Sequence, residues 1–342
     1  MANQKPSFGS TPAPLMYLAK FENGKWQKGS IQTFSDITLS PFAMCFHYGQ
    51  TVFEGLKAFK NPRQEVSVFR HADNFDRINV SLERMAMPPI PRSNWDEGIL
   101  ELVADLRNVV PSFGYGTLYL RPFVIASQAK LGVEAADEYL FLVVASPSGS
   151  YYSNPLKVKV ERHYTRAAPG GVGYAKCGGN YGGSLLPFRK AKEEGFDQIL
   201  WTDSNDHEWF EESGTMNFGF IIDGQFITPA PSDTILDGIT RKSVIQIAKD
   251  LKIPVVEKPF SVAALREAFE AGKQVEAFGI GTAAGIAPFK EISIDGDLFA
   301  CHHEEGALMY QLKKNLIGIQ TGTVEDHHGW NTVVTQSKLS VA

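Results

Sequence analysis

The alternation of apolar and polar residues divides the chain into short elements. Alternation over residues 15–33, around Glu22-Asn23-Gly24-Lys25, predicts a hairpin in which Asn-Gly supplies the φ > 0 turn. A strand is expected at 66–69. NFDRINVSLERM, residues 74–85, sets Phe75, Ile78, Leu82 and Met85 along one side of a helix. Ser93 and Asp96 read as a capping box opening a second helix. Its apolar face is Ile99, Leu102, Val103, Leu106 and Val110, and Pro111 stops it. Apolar strands follow at 118–126 and 139–145, then the segment PSGSYYSNPL, 147–156, which reads as a linker.

Beyond the linker, residues 157–161 alternate strictly. A helix at 184–194 ends at Gly195, and a strand follows at 198–202. EESGTMNFGFII and residues 226–228 flank the hairpin turn Asp223-Gly224. LDGITRKSVIQIAKDLKI holds a helix with Val244, Ile245, Ala248 and Leu251 inside. A strand at 255–257, a helix opened by Ser261, a strand at 276–280, the turn GTAAG, a helix at 304–316 and a polar tail complete the pattern. Strands grouped in hairpins with helices interspersed argue for an α+β fold over a doubly wound parallel sheet. At 342 residues the chain exceeds the size at which single cores stop growing. The expectation is therefore an N-terminal domain, 1–145, a linker, 146–156, and a C-terminal domain, 157–342.

Composition narrows the partners. A net charge of −5 without a basic run argues against nucleic acid and anionic membranes. No apolar stretch is long enough to span a bilayer, and the first fourteen residues read as a loose polar arm without a secretory signal's apolar region. Three scattered cysteines, Cys45, Cys177 and Cys301, suggest neither a disulfide framework nor a zinc site, and a reducing cytoplasm follows. The His302-His303 and His327-His328 pairs lack metal-ligand spacing, so no metal is expected.

Chemistry concentrates in GVGYAKCGGNYGGS, residues 171–184, where Lys176 stands among glycines that let a backbone approach a ligand. A lysine held there suits Schiff-base chemistry, whereas a surface turn would leave it an ordinary solvated cation. Four more segments have the right character to join it. Glu211 and Glu212 precede a Gly-Thr turn at Thr215, and Gly238-Ile239-Thr240 opens a helix with free amides suited to phosphate or with a plain cap. The small-residue turn at Thr282-Ala283-Ala284 presents further amides, and Arg77 offers a two-pronged cation. The chain has no GxxxxGK[ST] pattern, and Gly171-x-Gly173 lacks the third glycine of a dinucleotide loop.

Taken in order, HYGQTVFEGLKAF, NFDR, LYLRP, AKCGGNYGGSL, EESGTMNFGF, LDGITR and GIGTAAGIAP resemble the fold-type-IV, pyridoxal-phosphate-dependent branched-chain amino-acid aminotransferases from about Leu15 to Gly322. The resemblance implies a smaller α/β N-terminal domain and a larger C-terminal domain with a β-barrel-like core. It implies that Lys176 anchors pyridoxal 5'-phosphate as a Schiff base, that Tyr181 hydrogen-bonds the ring oxygen, and that Glu212 faces the pyridine nitrogen. Arg77, Ile239, Thr240 and Thr282 would hold the phosphate. Tyr48, Phe53, Tyr119 and Arg121 would line the substrate side, and Thr215, Ala283 and Ala284 would receive the α-carboxylate. The implied reaction moves the amino group of Leu, Ile or Val to 2-oxoglutarate by a ping-pong mechanism, in a cytoplasmic homodimer. The mammalian members carry a CxxC after the GTA turn; the matching stretch here is Ala283-Ala284-Gly285-Ile286-Ala287-Pro288. D-amino-acid transaminase and aminodeoxychorismate lyase share the Lys and Glu logic but usually lack the HYGQTVFEGLKAF and LYLRP pairing. A non-catalytic binder of a phosphorylated ligand would need the helix terminus and Arg77 but neither Lys176, Tyr181 nor Glu212. Cys177 has no assigned role.

Overall fold

A computed structural model describes residues 8–149 and 151–335. The first seven residues of the N-terminal arm and the last seven of the polar tail lie outside that description. Contacts group the described chain into two compact units. One runs to Tyr151 and also takes Ala175–Gly179 and the segment from Gly318 onward; the other holds Tyr152–Tyr174 and Asn180–Ile317.

In the first unit β1 (Leu15–Glu22) turns into β2 (Lys25–Trp26) at Asn23 and Gly24, and β3 (Ser30–Thr33) folds back on β1. Asn23 and Gly24 have φ of 54° and 73°, the double positive turn that Asn-Gly favours. Next come α1 (Met44–Tyr48), β4 (Thr51–Phe53), β5 (Leu56–Lys60), β6 (Val66–Phe69) and α2 (His71–Arg84). Ile78 and Leu82 of α2 are fully buried, as their spacing predicts, but the helix starts three residues before Asn74. The capping box does not form. α3 (Arg92–Asp96) starts after Pro91, so Ser93 lies inside the helix. Proline suits that place because its fixed φ is already extended or helical and no N–H is lost. A π turn at Glu97–Glu101 joins α3 to α4 (Leu102–Asp105). The predicted apolar face nonetheless holds, with Ile99, Leu102, Val103, Leu106 and Val110 all buried. β7 (Thr117–Ala126) and β8 (Tyr139–Ser148) pair along their whole lengths. The start of the expected linker is therefore strand: Ser146 pairs with Tyr119, Pro147 with Leu118 and Ser148 with Thr117.

The second unit opens with β9 (Leu156–Glu161), α5 (Gly179–Gly182), α6 (Leu185–Glu193) and β10 (Gln198–Thr202). β11 (Phe210–Ser213) pairs antiparallel with β10, β12 (Asn217–Ile222) pairs antiparallel with β13 (Gln225–Thr228), and α7 (Ile239–Asp250) follows. Leu251, placed inside by periodicity, caps α7 and is 39% exposed, because the helix stops one residue short of it. β14 (Val255–Glu257) leads to α8 (Val262–Glu270), where Ser261 accepts the Ala264 N–H at 3.0 Å as the expected cap. β15 (Val275–Gly281), β16 (Gly285–Ile294), β17 (Asp297–Ala300) and α9 (Leu308–Gln320) complete it. Among the described residues this sheet runs β11-β10-β9-β16-β15-β12-β13-β14, with parallel pairs only at β9–β10, β9–β16 and β13–β14. Mostly antiparallel strands with interspersed helices make the chain α+β, as expected. Its core includes Phe210, Phe218, Phe220 and Phe289, each contributing about 1.5–3 kcal/mol when fully buried.

The tail supplies what its polarity hides. β18 (Asn331–Val333) pairs with β6 and forms an edge of the first unit's sheet. The Trp330 carbonyl accepts the Arg70 N–H at 2.7 Å, and the Arg70 guanidinium lies 5.0 Å from the Trp330 ring centroid.

Candidate active site

The lysine segment is laid along β4 as an extra run of backbone. Phe53 N–H donates to the Lys176 carbonyl at 3.0 Å, and Gly178 N–H donates to the Thr51 carbonyl at 3.1 Å. Cys177, 1% exposed, bridges Val52 between them, so its place is a packed one. Lys176 N–H donates to the Ser81 hydroxyl of α2 at 2.9 Å. A Cβ on Gly178 would meet the Thr51 hydroxyl, which would have to turn aside. The Lys176 amine lies 5.0 Å from the Phe53 ring centroid.

Beside Phe53 the first unit sets Arg121 and Tyr119. Arg121 Nη2 donates to the Tyr119 hydroxyl at 3.0 Å, and its guanidinium stands 4.6 Å from the Phe53 centroid. Its buried Nε has no hydrogen-bond partner among the described residues, leaving a donor for an anion. Phe8 packs edge-on to Tyr119 at 4.7 Å, so the arm is anchored from its eighth residue. Tyr48 stands apart at the end of α1, 38% exposed, its ring 5.9 Å from that of His47.

Arg77 has an unforeseen partner. Its Nε and Nη2 donate to the two oxygens of Glu54 at 2.7 and 2.8 Å, and Asn74 adds a bond at 2.7 Å. Burial alone would raise the Glu54 carboxyl, yet the Arg77 charge and these bonds hold it below the usual carboxylate range. A lone acid inside the apolar run TVFEGL was the available signal.

In the second unit the candidates converge on one end of the sheet. Gly214 and Thr215 join β11 to β12, Thr282–Ala284 join β15 to β16, and Asn217 pairs with Ile280 between them. Gly214, at φ 59°, has no room for a side chain against Gln198. The Asn217 side chain donates to the Leu236 carbonyl at 2.9 Å, two residues before Gly238, after which α7 begins. No side chain caps α7, so the amides around Ile239 and the buried Thr240 keep their anion-seeking character.

Glu212, buried on β11, accepts the Leu236 N–H at 2.8 Å and lies 3.3 Å from Arg166. Arg166, its side chain 8% exposed, donates to the Thr234 carbonyl and, at 3.1 Å, to that of Gly173. A Cβ on Gly173 would meet Asp233 O and Thr234 Cα at 2.7 Å, so the glycine is obligatory for this packing. Glu211, next to Glu212, is pushed up to about 7, chiefly by desolvation. Tyr181 sits half-buried on α5, and Asn180 beside it donates to the Val172 carbonyl at 2.9 Å.

The sites expected from sequence thus fall into two groups, one on each unit. The residues fit a phosphorylated pyridine: an uncapped helix end for the phosphate and a buried acid held by a neighbouring amide and arginine. Sequence reasoning missed Glu54, Ser81 and Arg166. Among the described residues no group of His, Cys, Asp or Glu could hold a metal, and no helix is long and apolar enough to cross a membrane.

Comparison with known proteins gives the class first: the family described as amino-transferase class IV matches residues 51–292. A probable branched-chain-amino-acid aminotransferase of Staphylococcus aureus is 43% identical over 97% of this chain and 95% of its own length. Branched-chain-amino-acid transaminase 1 of Bacillus subtilis is 40% identical over 96% and 94%. The solved structure of the branched-chain amino acid aminotransferase from Escherichia coli superposes with a TM-score of 0.74 at 27% identity, covering 93% of this chain and 99% of that one. The chain belongs to the class-IV aminotransferases and, within them, to the branched-chain-amino-acid aminotransferase family. Solved members of that family hold pyridoxamine 5'-phosphate and N-(5'-phosphopyridoxyl)-L-glutamate.

Proposed function

We propose that the protein transfers the amino group of L-leucine, L-isoleucine or L-valine to 2-oxoglutarate, with pyridoxal 5'-phosphate as its cofactor. The observation that carries this reading is the second unit's pairing of buried Glu212 with the uncapped start of α7 through Leu236. An acid for a pyridinium and amides for a phosphate are thereby held by one short segment.

When bound, the cofactor supplies an electron sink for a carbanion at the substrate Cα and carries the amino group between half-reactions. Lys176 would anchor it and, released from it, would act in turn as base and acid toward the substrate Cα proton. Glu212 keeps negative charge at the ring nitrogen, and Arg166 holds that carboxylate in place. Tyr181 hydrogen-bonds the ring oxygen. Ile239, Thr240 and Thr282 would meet the phosphate, and Arg77 would offer it a cation, its orientation fixed by Glu54.

Phe53 and Tyr119 give an aliphatic side chain apolar faces, while Arg121 offers a cation to the second carboxylate of 2-oxoglutarate. Thr215, Ala283 and Ala284 meet the α-carboxylate. The same residues would then serve both substrates in turn, with the 2-oxo acid leaving before 2-oxoglutarate enters. Exposed Phe42 and Phe46, 52% and 62% accessible near exposed Tyr48, support a homodimer; a monomeric sedimentation profile would refute that. Three free cysteines suit a cytoplasmic setting, which fractionation would check.

Lys176→Ala tests the whole reading. The purified parent should show the visible absorbance of lysine-bound cofactor and convert leucine with 2-oxoglutarate; the variant should do neither. A parent that stays colourless with added pyridoxal phosphate refutes it.

A further inference from the structure

The mechanism above leaves unused a fully buried hydroxyl, that of Ser81. It sits one turn after Arg77 on α2 and donates to the Arg77 carbonyl at 3.0 Å. Its oxygen also accepts the Lys176 N–H at 2.9 Å. Both bonds suit one hydroxyl, which has a single proton to give and lone pairs to receive.

The two bonds close a circuit. From Lys176 N–H the path runs through Ser81 to the backbone of Arg77, and from the Arg77 guanidinium to Glu54 at 2.7 and 2.8 Å. Glu54 follows Phe53, whose N–H returns to the Lys176 carbonyl at 3.0 Å. Lys176 is thus held by its amide on one side and its carbonyl on the other. Of the two holds, the strand contact with Phe53 is backbone and independent of side-chain identity. The Ser81 contact depends on one oxygen atom.

We propose that Ser81 is a positioning residue for Lys176: its hydroxyl ties the lysine's peptide N–H to the turn of α2 that carries Arg77, setting both relative to one another. The role rests on the proposed function, in which Lys176 anchors the cofactor and Arg77 meets its phosphate. Without the hydroxyl the Lys176 N–H loses this part-buried bond, and the strand contact with Phe53 no longer has its counterpart on α2. The amine would then leave its place 5.0 Å from the Phe53 ring centroid, and the field it exerts on Glu54 would change. Cofactor affinity and the electrostatic surroundings of the linkage should change together.

The test uses the full-length protein stripped of cofactor and titrated with pyridoxal phosphate. Affinity is read from visible absorbance, the pH dependence of that band is recorded, and the melting of each apoprotein is measured. The variants are Ser81→Ala and the nearly isosteric pair Ser81→Thr and Ser81→Val, which differ only in a hydroxyl. The expected result is affinity weakened roughly three- to tenfold in the Ala and Val variants, the scale of a lost hydrogen bond. Their visible band should titrate at a shifted pH, while Thr restores both readouts. Equal affinity and unshifted titration in Ser81→Ala overturn the proposal. Equal impairment of Thr and Val overturns it too, since the hydroxyl would not matter. If the Ala and Val apoproteins melt far below the parent while binding and titration are unchanged, or do not fold, the role is structural and the proposal falls. A parent that binds no pyridoxal phosphate removes the proposed function itself, and the positioning role with it.

Discussion

Glu54 is the side chain whose loss should be felt most. It has no exposed surface, and Arg77 opposite is 9% exposed. Glu54→Gln keeps the shape and removes the charge. The new amide then turns its NH2 end toward a donor, either Arg77 or Asn74, and leaves a guanidinium buried without a counter-charge. Breaking a buried ion pair from one side costs about 3–5 kcal/mol, against roughly 5–15 kcal/mol for a whole domain. At about 2–4 °C per kcal/mol for a unit of this size, the melting midpoint should fall by roughly 6–20 °C. The assay is calorimetric melting of the apoprotein at neutral pH and at steps toward acid. Because the folded carboxyl lies below its ordinary range, its contribution is complete above the unfolded value of about 4.3 and is lost as pH falls through the folded value. The parent should therefore lose stability across that acid window more steeply than the variant. A variant melting within about 2 °C of the parent, with the same acid slope, would refute the assignment of Glu54 as the arginine's counter-charge.

Arg121→Ala should lower kcat/KM for 2-oxoglutarate by about 10- to 100-fold, the scale of a charge-assisted bond, and that for leucine far less; equal losses in the two half-reactions would make Arg121 structural. Glu211→Gln addresses the carboxyl raised to about 7, chiefly by desolvation, with Thr234, Arg166, Asp203 and Glu212 around it. A raised folded value means stability is full below the unfolded value of about 4.3 and falls as pH rises through about 7. The Gln variant should lose that slope and outlast the parent above neutrality in melts from about pH 5 to about pH 9; parallel curves would refute the buried-acid reading.

Periodicity located the elements whose apolar faces enter a core, and Ile78, Leu82, Ile99 and Leu102 show why. Burial is the cause of the pattern, so it can be read backward. Caps are decided by a few backbone angles, and Ser93 lost its predicted role to Pro91 for that reason. β18 left no trace because Asn-Thr-Val has too few residues to alternate, and its partner strand is remote in sequence. Among site candidates, the close backbone approach of the glycine-rich lysine segment and the open start of α7 were legible because both are local backbone features. Glu54, Ser81 and Arg166 were not, since a buried polar residue and a solvated one are spelled alike. Their functions come from partners brought together by long-range packing.

The pairing of β18 with β6 has a consequence for synthesis. Val334 N–H donates to the Val66 carbonyl at 2.8 Å, beside the ladder from Asn331–Phe69 to Val333–Ser67. The unit encoded first therefore waits for the last-made part of the described chain to close its sheet edge. While the ribosome is still adding the second unit, β6 has an open flank able to recruit another strand. The order in which this protein is written is not the order in which its halves are finished.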